Sequence, residues 1–167
     1  MIKINHLINL HDARFAAAEN VDFISFALAK GNIKKISLTT YQDIIQWIAG
    51  TYLVVDFEND VSSLLDFLDN NIPFDFLQVH YSVSHLIPKE FINRSILYCD
   101  TINEAQKYLV DPWMVESPFD ISHERHFQLI NFNVKKQISK NYSLDSSFFF
   151  ETYDLDYEKF INWNQKI

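Results

Sequence analysis

Short apolar runs alternate along this chain with longer segments whose apolar positions recur at helical spacing, and the alternation repeats roughly every 22 to 25 residues. That rhythm predicts a parallel sheet built from strand–helix units, not hairpins or a helical bundle. Strands are predicted at Ile2 to Asn5, Phe23 to Ala27, Tyr52 to Phe57, Phe76 to His80, Ile96 to Cys99, Trp113 to Glu116 and Phe148 to Glu151. Leu10 to Glu19 reads as an alanine-rich helix, Val61 to Leu68 as a helix that Ile72-Pro73 stops, and Asp156 to Asn164 as the last helix. Thr39-Thr40-Tyr41-Gln42 and Thr101-Ile102-Asn103-Glu104 have the form of capping boxes, in which a hydroxyl and a Gln or Glu three residues on satisfy free amides reciprocally. Helices are expected to begin there.

Composition narrows the class. A chain of 167 residues with 48% hydrophobic and 16% aromatic side chains fits a single domain, residues 1–167, able to fill a core. The formal charge of −8 sets a like-signed field against nucleic acid and anionic membranes, so neither is expected as a partner. No apolar run approaches the roughly 20 residues of a membrane helix, and Met1-Ile2-Lys3 leads straight into a strand, so a cytoplasmic protein is expected. Cys99 is the one cysteine, which leaves no internal disulfide; in an apolar strand with no adjacent base it is expected in the core. His80 with His85, and His123 with His126, lack the third ligand and helix context of a zinc site. No metal is expected, and His123-Glu124-Arg125-His126 reads as a solvated helix start. With only two glycines, Gly31 and Gly50, the P-loop and dinucleotide-binding fingerprints are excluded.

Several stretches carry a family resemblance. Lys3-Ile4-Asn5-His6, Ser25-Phe26-Ala27-Leu28, Lys34-Lys35-Ile36-Ser37, Val54-Val55-Asp56, Phe74-Asp75-Phe76-Leu77-Gln78-Val79-His80 and Trp113-Met114-Val115-Glu116-Ser117 resemble, in order, landmarks of the phosphoribosylanthranilate isomerase family. The resemblance spans roughly residues 1–118, about two-thirds of the chain. It implies a TIM-type (βα) barrel and, in tryptophan biosynthesis, an Amadori rearrangement: an acid opens the ribose ring while a base takes a proton from the neighbouring carbon. The family's first strand reads Lys-Ile-Cys-Gly, with the cysteine as base; its sixth strand ends Asp-Ser, with the aspartate as acid. Here Asn5 replaces the cysteine, His6 the glycine and Glu116 the aspartate. An amide has no basic lone pair to take a proton at neutral pH, whereas Glu116 keeps a carboxyl group.

Beyond Ser117 the landmarks fail. Asp120-Ile121-Ser122-His123 stands where the family has Gly-Gly-Thr-Gly, and Phe148-Phe149-Phe150-Glu151 stands where the seventh strand should end in a phosphate-binding Ala-Gly-Gly. An eighth strand has no room before Ile167, so the expected barrel is incomplete or remodelled, with about seven strands. The expected catalytic positions are Asn5, Glu116 and His80, and the expected ligand-binding positions are Lys3, His6, Lys34, Asp56 and Gln78. Three functions remain open: a divergent, inactive homologue acting as a binding or partner protein; an isomerase that uses His80 or His6 as base with Glu116; and another small-molecule enzyme in the barrel mouth. No cofactor is implied. The edges of a seven-stranded barrel call either for a homodimer formed around the C-terminus or for the segment Asn131 to Leu144 laid across the gap, and the aromatic concentration at Phe148, Phe149, Phe150, Tyr153, Tyr157, Phe160 and Trp163 favours the homodimer.

Overall fold

The computed structural model describes residues 1–109, 113–130, 140–145 and 157–165. Eight parallel strands form a closed barrel in sequence order: β1 (Ile2–Asn5), β2 (Phe23–Ala27), β3 (Tyr52–Asp56), β4 (Phe76–His80), β5 (Ser95–Tyr98), β6 (Met114–Ser117), β7 (His126–Ile130) and β8 (Asn141–Asp145), with β8 pairing back onto β1. The described helices are α1 (Leu10–Ala18), α2 (Leu38–Ile45), α3 (Val61–Asp69), α4 (Ile102–Tyr108) and α5 (Tyr157–Asn164); two 3₁₀ segments, Tyr81–Leu86 and Lys89–Arg94, carry the chain from β4 to β5.

The TIM-type barrel is therefore present, and its expected incompleteness is corrected. Strands seven and eight both precede the Phe148 to Glu151 run, which lies outside the described residues. They fit because the β6–β7 connection shrinks to residues 118–125, below the dozen or so that a helical crossover normally takes. His126 is not a solvated helix start either: it is buried as the first residue of β7, with exposed His123 and Glu124 in the turn before it.

Local chemistry explains where the elements begin. Thr101 caps α4 by accepting from the amide of Glu104, as the capping-box pattern predicts. For α2 the cap is Ser37, two residues before the predicted box, and its hydroxyl accepts from the amide of Thr40. At the foot of the barrel, Asp22 accepts from the Ile2 amide at 2.7 Å and Asp75 from the Leu53 amide at 2.8 Å. Each Asp-Phe pair at a strand start thus ties that strand to the one before it.

Register assigns the faces. Phe23, Val54, Ile96 and Phe127 point inward and form an apolar plug with Phe76 and Met114, in which the Phe23 ring meets Phe76 and Phe127 edge-on at 5.2 and 5.3 Å. Alternate residues such as Ile4, Phe26, Val55, Leu77, Leu97 and Val115 face the helices in a larger shell. Above the plug the interior turns polar, and that layer positions the site. In α5, Phe160 and Trp163 are buried within the chain, Phe160 against Phe15 and Trp163 against Tyr142. Those two rings are covered without a second copy.

A buried histidine sets an expected pH response. The His126 Nδ1–H donates to the Ile121 carbonyl at 3.1 Å, so its Nε2 accepts from the Ser117 hydroxyl at 2.8 Å. Burial holds the imidazole below its ordinary range. The unfolded chain then binds the proton first, so stability should fall as pH drops below about 6.5, by at most about 1.4 kcal/mol per pH unit from this group. Urea unfolding across that window should show a smaller fall for His126→Asn than for the wild type.

Candidate functional site

The C-terminal ends of the strands open on a cavity of about 480 Å³ lined by Asn5, His6, Asp56, Glu58, Asn59, Gln78, His80, Tyr98, Asp100, Glu116 and Leu129. This is the face where TIM barrels carry their chemistry. The lining residues come from the ends of β1, β3, β4, β5 and β6, from the loop residues just beyond them, and from β7.

Beneath the cavity lies a closed polar network. The Lys3 ammonium sits 2.6 Å from Glu116 Oε2 and also donates to Asn5 Oδ1. Asn5 Nδ2 lies 2.9 Å from both Glu116 Oε1 and Ser143 Oγ, and the Ser143 hydroxyl donates to Glu116 Oε2 at 2.7 Å. All four side chains are buried. Glu116 thus accepts from three donors, using both oxygens. Asn5 and Glu116, from β1 and β6, are hydrogen-bonded to each other.

A second group forms the wall. His6 Nε2 lies 3.1 Å from Asp56 Oδ2, and Gln78 Nε2 donates to the same oxygen at 3.0 Å. Asp56 Oδ1 accepts the amide of Glu58 at 2.9 Å, which holds the carboxylate in place. His6 has φ 58°, a left-handed conformation that favours glycine and costs other residues about 1–2 kcal/mol. The backbone therefore takes a shape that a glycine would adopt most readily, while the His6 side chain turns to Asp56. At the end of β4, two residues beyond Gln78, His80 lies between two partners, Ser82 Oγ on Nδ1 and Asp100 Oδ2 on Nε2, each at 2.6 Å.

The structure brings together most of the residues singled out from the sequence. Asn5, His6, Asp56, Gln78, His80 and Glu116 line the cavity, and Lys3 lies below it, engaged with Asn5 and Glu116. Lys34 does not join them. It is buried in a separate depression with Ile8, Ile33, Lys35, Ile36, Ser37 and Thr40. Sequence reasoning missed Glu58, Asn59, Tyr98, Asp100, Ser82 and Ser143. Asp100 and Glu58 stood within reach of it, since each follows a predicted strand at its C-terminal end. Cys99 faces the shell, and burial pushes its thiol up to about 12, as suits a core residue. Among the described residues no three His, Cys, Asp or Glu side chains converge as metal ligands, and no helix is long and apolar enough to cross a membrane.

Fold and site together define an eight-stranded (βα) barrel with a polar cavity at its mouth. The solved structures that it resembles include phosphoribosylanthranilate isomerases. One, determined with reduced 1-(o-carboxyphenylamino)-1-deoxyribulose 5-phosphate, aligns with a TM-score of 0.74 at 15% identity over 99% of this chain and 96% of that one. The enzyme of Thermotoga maritima gives 0.74 at 13% identity over 99% and 98%, and that of Thermus thermophilus 0.72 at 16% over 99% and 96%. No family model matches the chain, and no curated protein matches it by sequence. The likeness is thus one of fold, running through the whole chain and past residue 118, where the sequence landmarks stop.

Proposed function

We propose that this chain is a divergent protein of the phosphoribosylanthranilate isomerase fold that has lost the ordinary isomerisation and acts through its mouth cavity as a small-molecule binding protein. The observation that carries this reading is the 2.9 Å hydrogen bond from Asn5 Nδ2 to Glu116 Oε1. In an acid–base mechanism, the base needs a lone pair aimed at the substrate and the acid needs a proton to give. Asn5 has no basic lone pair, and the Glu116 oxygens are turned inward as acceptors for Lys3, Asn5 and Ser143. A mechanism using His80 or His6 as base with Glu116 draws less support, because its acid is the same Glu116 held as an acceptor by Lys3, Asn5 and Ser143, and both ring nitrogens of His80 are engaged, by Ser82 and Asp100.

Purified protein should therefore not turn over phosphoribosylanthranilate above background, and its gene should not rescue a tryptophan auxotroph that lacks the isomerase. Rescue that disappears in His80→Ala would replace this reading with the histidine mechanism. Rescue that survives both His80→Ala and His6→Ala would point to a base that neither reading includes.

A further inference from the structure

Where β4 and β5 end side by side, three side chains form a line of hydrogen bonds that shares no member with the Lys3–Glu116 network. His80 ends β4, Ser82 follows it in the first turn of the Tyr81–Leu86 segment, and Asp100 lies two residues beyond β5. Ser82 Oγ is 2.6 Å from His80 Nδ1, and Asp100 Oδ2 is 2.6 Å from His80 Nε2. The partners fix the proton. A carboxylate only accepts, so Nε2 carries the hydrogen and donates it to Asp100; Nδ1 then keeps its lone pair and accepts from the Ser82 hydroxyl. Helix capping does not account for this. A cap needs only an acceptor for the Ser82 amide, and that contact is the long one at 3.4 Å, while Asp100 comes from a different strand end.

Hydroxyl to imidazole to carboxylate is the order that makes a serine a nucleophile: the base lies within reach of the hydroxyl proton, and a third group orients the base. The carboxylate also stabilises the imidazolium that forms when the proton moves. Packing holds the ring as well, with Tyr81 at 4.5 Å and Tyr98 at 6.2 Å between ring centroids. Ser82 is exposed, whereas the His80 side chain is only 17% exposed, so the hydroxyl meets solvent while its base stays fixed in the wall. Two other serines have different partners. Ser84, in the same segment, donates to the Tyr108 hydroxyl, and the exposed Ser62 donates to Asp60.

We propose that Ser82 is an activated nucleophile that takes the acyl group of a small ester and passes it to water, with His80 as its base and Asp100 as the positioning residue. Ser82 Oγ bonds to the ester carbonyl carbon as its proton passes to His80 Nδ1; the bond to the leaving alcohol then breaks, and that alcohol takes the proton from Nδ1. Water repeats the exchange on the acyl-serine. Its oxygen bonds to the carbonyl carbon, its proton goes to Nδ1, the bond to Oγ breaks, and Oγ recovers the proton as the carboxylic acid leaves. A positioned base contributes about 10²–10⁴-fold to such a step. The half-buried rings of Tyr81 and Tyr98 flank the imidazole, which suits a small apolar acyl group. The reaction uses neither Asn5 nor Glu116, so it stands or falls apart from the loss of isomerisation.

The full chain, treated with diisopropyl fluorophosphate and separately with p-nitrophenyl acetate, tests this by mass spectrometry and by release of nitrophenol. The phosphoryl label should fall on Ser82 and spare Ser62 and Ser84. Ser82→Ala should abolish that label and lower kcat/KM for the ester at least tenfold, and His80→Gln should lower both rates at least tenfold. For Asp100, the nitrogen-15 shifts of the His80 ring give a readout that a merely structural role would not move: the Nε2–H tautomer in the wild type, and a mixture of tautomers in Asp100→Ala, which should also label at least tenfold more slowly. Circular dichroism confirms that each variant is folded, and labelling of the wild type needs no variant at all. Absence of label on Ser82, or equal labelling of Ser62, would overturn the proposal. So would an Nδ1–H tautomer in the wild type, or ester hydrolysis unchanged in Ser82→Ala, which would leave His80 as a bare imidazole acting alone.

Discussion

Replacing Lys3 by methionine should destabilise the chain by about 3–5 kcal/mol, because it leaves the Glu116 carboxylate buried inside the barrel without its ammonium. Against a typical total of roughly 5–15 kcal/mol, that is enough to unfold a large share of the protein. The cause is desolvation. Both charged groups are cut off from water by the wall of strands, and each is tolerable only while the other is 2.6 Å away. Methionine fills nearly the same volume, so packing contributes little to the loss. The double variant Lys3→Met with Glu116→Gln removes both charges and keeps an amide that can bond to Asn5 and Ser143; most of the stability should return. Urea unfolding of the four proteins gives the coupling directly, which should exceed about 2 kcal/mol for groups in such contact. A Lys3→Met loss below about 1 kcal/mol would mean that water reaches the pair, and the polar network would then be a wet surface and not the floor of the site.

The same network shows what the sequence could and could not convey. Strands β1 to β6 were legible because their outward residues are apolar and their landmarks fall at regular spacing: Ile4, Phe26, Val55, Leu77, Leu97 and Val115 all face the helical shell. Strands β7 and β8 were not. Asn141-Tyr142-Ser143-Leu144-Asp145 alternates polar with apolar, which reads as a half-exposed edge and not as a strand buried on both faces. Its polar member Ser143 points inward, into a bond with Glu116 that only the closed barrel creates. The side chains of the site were likewise legible where they sit on strands, as with Asn5, Asp56, Gln78 and Glu116. Their pairing was not, because Asn5 and Glu116 are more than a hundred residues apart in sequence and meet only through the barrel's closure. Lys34 failed for the converse reason: its neighbours in sequence resembled the family, while its place in the fold is a different depression.

Phe160→Ala should cost about 3–5 kcal/mol, the usual range for deleting a fully buried aromatic ring. The ring is fixed by several elements at once. It meets Phe15 of α1 at 5.9 Å and Trp163 of its own helix at 6.3 Å, while Trp163 meets Tyr142 of β8 at 5.7 Å and the Tyr157 hydroxyl donates to Asp12. Helix α5 therefore links α1 to β8, the strand that closes the barrel onto β1. Removing its central ring loosens the cover over that seam, so the loss should appear as a drop in global stability and not as local fraying. The unfolding midpoint also tests the dimer that the aromatic C-terminus suggested. If these rings pack within one chain, the midpoint of the wild type should stay the same across a hundredfold range of protein concentration, and Phe160→Ala should lower it equally throughout. If they join two copies, mass action should raise the wild-type midpoint with concentration and Phe160→Ala should abolish that rise.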